Sequence, residues 1–152
     1  MKRFYNAIIP KYKDVEIEFA ANQIIFRFGL SSRDSLSGKT IYPIFLDWDL
    51  KLSSRKLDSV IATIGWTQVT LREIKKKLDE ANCIQIQSGE PTVIGFQRSG
   101  MGMYSYNVFD KAIPDSLRNY YNDSCRYILY NDKLVLEYGG GAAGSQSFPR
   151  TE

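Results

Sequence analysis

The period of the apolar residues changes twice along this chain, from two to that of a helix and back, and those changes limit the possible folds more than anything else in it. Across "SSRKLDSVIATIGW" the apolar positions Leu57, Val60, Ile61 and Ile64 recur at i, i+3, i+4 and i+7, the spacing of one helical face. Ser53 or Ser54 can cap the start, and Gly65 suits a left-handed stop. "TLREIKKKLDEA" repeats the pattern with Leu71, Ile74, Leu78 and Ala81, and Thr70 with Glu73 makes a capping-box signature. From Cys83 onward the period is two: "CIQIQ" alternates, "SGEP" turns, "TVIGFQR" returns, "SGMG" turns again, and "MYSYNVFD" forms a third strand. The two periods cannot exchange places, because a strand alternates sides every residue and a helix does not. A helical pair over 54–64 and 70–81 is therefore followed by an antiparallel meander.

The remaining segments extend the sheet. "VEIEF" sets Val15, Ile17 and Phe19 on one side and Glu16 and Glu18 on the other, which predicts a half-buried strand. "QIIFRFG" reads as a second strand or part of a longer irregular element, residues 31–39 as a polar loop, and 44–50 as a strand that starts after Pro43. Pro114 and Asp115 suit a short helical turn, and "CRYILY" and "KLVLEY" flank the two-residue connection Asn131-Asp132, a hairpin signal. There is no internal repeat and no linker. The expectation is a single α+β domain over residues 1–152: a mostly antiparallel sheet from the C-terminal meander and hairpin plus the N-terminal strands, with the two adjacent helices packed on one side.

Composition excludes several kinds of chemistry. The 152 residues suit one domain, and 43% hydrophobic with 24% charged residues is the make-up of a folded chain. The net charge of +3 is spread along the sequence, too mild to imply a polyanion partner. Histidine is absent, which removes His-dependent dyads and triads, histidine metal sites and the usual pH switch. Cys83 and Cys125 are too few and too far apart for a zinc site. Each falls at the start of a predicted strand, so a bridge in an oxidising compartment and buried reduced thiols both stay open. No metal, cofactor or cofactor motif is expected. "MKRFYNAIIPKYK" has too short an apolar run for a signal peptide or a membrane span, and the compartment stays open between cytoplasm and envelope.

Four stretches are candidates for function. In "LEYGGGAAGSQSFPR" a phosphate cradle would need a helix after the glycines, but only eight residues follow Gly144, Pro149 is among them, and no Lys-Ser/Thr pair follows. The stretch reads instead as a glycine-eased turn that packs Phe148 back on the sheet. "LDWDL" places Asp47 and Asp49 on one side of a strand, the pairing used in metal and phosphoryl chemistry. "RSGMGMYSY" combines a glycine tip with Arg98, Met101, Met103, Tyr104 and Tyr106, residue types enriched in interface cores. Alternation gives Tyr104 and Tyr106 one face with Val108, and Met103, Ser105, Asn107 and Phe109 the other, so one set looks outward unless both faces are covered.

The fourth is the order helix, turn, helix, hairpin over residues 54–98, which is similar to the DNA-binding half of a winged-helix domain. The resemblance covers less than a third of the chain. It implies that the second helix enters the major groove, with Arg72, Lys75, Lys76 and Arg98 as contacts. The segment carries seven basic and five acidic residues, and Glu73 with Lys77, Lys75 with Asp79, and Lys76 with Glu80 are i,i+4 pairs that neutralise one another. The leading expectation is a non-catalytic interaction domain whose partner is another protein, in an accessory role such as toxin neutralisation or at the cell envelope. Behind it stand a nucleic-acid binder and an enzyme built on Asp47, Asp49 and Glu137.

Overall fold

In a computed structural model of the chain, the residues described are 15–20, 23–28, 45–139 and Phe148. Their antiparallel strands and adjacent helices make an α+β fold, and the chain divides into two compact units, Met1–Gly89 and Glu90–Glu152.

In the N-terminal unit, β1 (Glu16–Ala20), β2 (Gln23–Phe28), β3 (Phe45–Lys51) and β4 (Gln85–Gln87) lie in the order β3-β2-β1-β4. Ile17 stands opposite both Phe26 and Ile86, and Phe19 opposite Ile24. Ile17, Ile24, Phe26 and Ile86 consequently share one face, and all four are 0% exposed. Helices α1 (Arg55–Thr63) and α2 (Gln68–Glu80) bury the predicted stripes, Leu57, Val60 and Ile61 on the first and Leu71, Ile74 and Leu78 on the second. Each such side chain contributes roughly 1.5–3 kcal/mol by leaving water. Trp66 fills the joint between the helices, with its ring edge-on to Phe26 at a centroid distance of 5.7 Å.

The helix ends follow local chemistry. Ser54 caps α1 by accepting from the Leu57 N–H, and Gly65 takes the left-handed conformation (φ 74°) that ends the helical run. Helix α2 starts earlier than Thr70 and Glu73 predict. Thr67 is the N-cap, and its hydroxyl and that of Thr70 accept reciprocally from each other's backbone N–H at 3.4 Å. The Thr70 hydroxyl fills the place expected for a glutamate, and Glu73 stays on the exposed face.

Strand β1 is buried on both sides, where alternation predicts a half-buried strand: Glu16 and Glu18 are 5% and 3% exposed. Arg27, opposite Glu16 in register, forms an ion pair with it, and Gln85 Nε2 donates to the same carboxylate at 2.7 Å. A period of two identifies the residues that share a face; it does not report what lies over that face.

In the C-terminal unit, β5 (Thr92–Ser99), β6 (Gly102–Val108), β7 (Tyr127–Asn131) and β8 (Leu134–Gly139) lie in the order β5-β6-β8-β7. The β7–β8 hairpin turns at Asp132 and Lys133, one residue later than predicted. Asn131 pairs with Leu134 across the ladder, and its side-chain oxygen accepts from the Lys133 N–H at 2.9 Å. Between β6 and β7 the chain makes α3 (Asp115–Arg118) and a 3-10 turn at Tyr120–Asn122. This segment helps close one face of the sheet, where Ile113 joins Tyr127 and Val135 with Phe109, Tyr121 and Leu129 packed around them. Strand β7 is the last in its sheet order, and the chain satisfies it locally: the Tyr127 and Leu129 N–H groups donate to Asp123 and Asn122 side-chain oxygens at 2.8 and 3.2 Å.

Candidate functional site

Burial decides which face of β6 looks outward. Met103, Ser105 and Asn107 are buried, whereas Tyr104, Tyr106 and Val108 are half-buried. The ladder brings further apolar groups to the outer set: Tyr138 stands opposite Tyr104, and Leu136 opposite Tyr106 on one side and Ile128 on the other. Tyr104 and Tyr138 stack at 4.2 Å with planes 13° apart, and Phe96 stacks on Tyr106 at 4.5 Å and lies 6.1 Å from Tyr104. Four rings thus stand side by side, with faces turned on one another and edges outward. Tyr138 is held by a hydrogen bond to Ser99 Oγ (3.2 Å) and by close approach to Gly102, where a Cβ would meet its ring at 3.0 Å.

Beyond the stack the face stays apolar. Tyr130 is 69% and Ile128 37% exposed, and a depression of about 420 Å³ lies among Tyr106, Tyr130, Leu134 and Leu136. At the other end Phe148 lies against the stack, 5.9 Å from Tyr104 and 6.1 Å from Tyr138, as the tail sequence predicts. Residues 140–147, the glycine-rich stretch before it, lie outside those described.

The predicted surface set divides. Tyr104 and Tyr106 are on the open face, Met101 (59% exposed) is at the β5–β6 turn, and Arg98 is exposed beside it with Nη1 3.5 Å from the Met101 carbonyl. Met103 does not belong to a surface: it is 9% exposed, because alternation sends it to the side away from the two tyrosines. Phe96, Tyr138, Ile128 and Tyr130 were missing from the set. Their alternation is visible in "VIGFQR", "YILY" and "LVLEY", but only the register places them beside Tyr104 and Tyr106.

The buried face of the same sheet holds a polar network. Arg126 Nε and Nη2 donate to Glu137 Oε1 at 3.0 and 2.5 Å, and Asn107 Nδ2 donates to Oε2 at 2.8 Å. Burial alone would lower the Arg126 pKa, but the Glu137 hydrogen bond and charge outweigh it and raise it. Burial first, and the Glu137 charge second, push the Tyr127 phenol up. Glu137 therefore has three donors bound to its two oxygens, the setting of a structural anion. Asp47 is ion-paired with Lys56 in the N-terminal unit, and the Asp49 side chain lies outside the described residues. Among the described residues no three histidine, cysteine, aspartate or glutamate side chains cluster as metal ligands.

Of the proposed nucleic-acid contacts, Lys75 donates to both Asp79 oxygens at 2.9 and 2.7 Å, and Lys76 lies 3.9 Å from Glu80. Arg72 is exposed on α2, and Arg98 belongs to the other unit. Strand β4 pairs with β1, and β5 pairs with β6. The two cysteines are not bridged, Cys83 is buried and Cys125 exposed, and burial pushes the Cys83 thiol up. A second depression of about 540 Å³ lies beside the cis peptide Glu90–Pro91, among Phe109, Pro114 and Leu117. Its polar rim serves the local turn, since Glu90 accepts from the Asp110 N–H at 3.0 Å. Among the described residues no helix is long and apolar enough to cross a membrane. No protein-family model, curated protein or solved structure matches the chain.

Proposed function

We propose that this is a non-catalytic interaction domain and that the aromatic face of its C-terminal unit binds another protein. The four-ring stack, continued by exposed Ile128 and Tyr130, is the observation that carries this reading. In the β6–β8 register the positions on that face, Tyr104, Tyr106, Val108, Leu134, Leu136 and Tyr138, carry no charge with which to hold a polyanion. The stacked rings also turn much of their face area on one another, which reduces the area open to a stacking base. What they present is phenol edges and apolar area, the combination that interface cores favour.

The test is site-specific photo-crosslinking from position 130 in the source cell, followed by affinity measurement with the purified crosslinked protein. Tyr106→Ala and Ile128→Asp are each expected to weaken that complex by about tenfold or more, as truncation at an interface centre does. Unchanged affinity in both variants would reject the reading.

A further inference from the structure

Phe148, the one described residue of the C-terminal segment beyond β8, lies on the aromatic face. Phe148 rests its ring on Tyr104 and Tyr138, and its backbone N–H donates to the Cys125 carbonyl at 2.7 Å. The next carbonyl, that of Arg126, accepts from the Tyr138 N–H at 3.0 Å, so the two carbonyls serve different partners. In "GGAAGSQSFPRTE", residues 140–152, Phe148 is the only large apolar side chain. The described contact is a ring in a two-tyrosine seat plus one main-chain bond.

We infer that this is a seat for an aromatic residue whose backbone N–H reaches the Cys125 carbonyl, that Phe148 occupies it in cis, and that the protein partner offers an aromatic residue of its own to the same seat. The inference rests on the aromatic face being the interaction surface. The chain itself shows the chemistry that fits: a ring tilted 41° and 54° to the Tyr104 and Tyr138 planes, with a backbone donor set for Cys125. A tail tethered this close competes at an effective concentration on the order of millimolar. An occupied seat reduces the apparent affinity of a partner that needs it to the intrinsic affinity multiplied by the fraction of molecules in which the seat is vacant. Phe148 therefore acts as an autoinhibitory contact.

The probe is a synthetic peptide of residues 144–152, GSQSFPRTE, beside the same peptide with alanine in place of phenylalanine, titrated into the full chain and into its Phe148→Ala variant. Ring and amide NMR shifts at Tyr104, Tyr138 and Phe148 report occupancy. The expected result is binding to Phe148→Ala that is about tenfold or more tighter than to wild type, no binding of the alanine peptide, and loss of binding when Tyr104→Ala is added. Equal binding to both proteins, or none to Phe148→Ala, would overturn the inference. A wild-type dimer that dissociates on Phe148→Ala would assign the seat to a second copy's tail and overturn it as well. The crosslinked partner separates this inference from the broader reading. If its affinity falls with Tyr106→Ala but does not rise with Phe148→Ala, the shared seat is wrong and the interaction surface stands; if Tyr106→Ala and Ile128→Asp both leave it unchanged, the surface itself is wrong.

Discussion

The two units use the same materials to different ends. In the N-terminal unit Ile17, Ile24, Phe26 and Ile86 of the sheet are fully buried, the helical stripes are buried with them, and on the other side of β1 Glu16 and Glu18 are buried too. In the C-terminal unit three buried residues, Ile113, Tyr127 and Val135, make a small core, while the opposite face keeps its aromatic groups half in water. Stacked rings and a three-donor carboxylate do there what packed aliphatic side chains do in the first unit. A sheet with one face left open is free to bind, and its stability then leans on directional contacts that substitution can remove one at a time.

The largest effect should come from the closed core. Phe26→Ala deletes a fully buried ring and the partner of Trp66, and should cost about 3–5 kcal/mol in urea unfolding. A loss under about 1 kcal/mol would mean that the site collapses without a cavity, and would blur the contrast between the units. Next is Glu137→Ala, which leaves Arg126 and Asn107 without their acceptor and should cost about 2 kcal/mol, a value typical of hydrogen bonds to a charged group. If Glu137→Ala were neutral, the C-terminal unit would not depend on its polar network as argued.

Smaller still should be Tyr130→Ala, within about 0.5 kcal/mol of wild type, because the side chain is 69% exposed. A larger loss would show that the open face is part of the core.

The pH dependence sharpens the comparison at its fine end, because its shifted groups Tyr127 and Asp123 sit side by side in the C-terminal unit. The Tyr127 phenol is raised, so its contribution is fully present below the unfolded tyrosine value of about 10 and is lost as pH climbs above it. Tyr127→Phe should flatten that alkaline limb of the stability curve. Asp123 runs the other way. Its carboxylate is held low by the Tyr127 N–H first, against an opposing effect of burial, and then by the Cys125 and Arg126 N–H groups. Its contribution is present above the unfolded aspartate value of about 3.9 and is lost as pH falls below it, and Asp123→Asn should flatten the acid limb. Because Asp123 is exposed, solvent screening makes this the smallest of the effects.

Much of this architecture was legible from local pattern. The stripes Leu57–Val60–Ile61 and Leu71–Ile74–Leu78 are buried as their spacing requires, and Trp66 fills the joint where a residue after a helix-ending glycine would go. Errors of one to three residues arose where short-range chemistry had two solutions, Thr67 with Thr70 against Thr70 with Glu73, and a turn at 132–133 against 131–132. The candidate site was half legible. Tyr104 and Tyr106 could be put on one face, but Met103 was grouped with them although its side chain points the other way.

The sequence by itself determined the periods, and through them the α+β class, the helical pair, the antiparallel strands and the residues that share each face. Period is a property of a few consecutive dihedral angles, so it can be read without knowing any partner. Only the tertiary structure decided which face of β6 stays open, that Tyr138 stands across from Tyr104, that Glu16 and Glu18 are buried, and which rings of the sheet Phe148 meets. Those are matters of register and cover, set by contacts between residues far apart in the chain, and no local pattern encodes them.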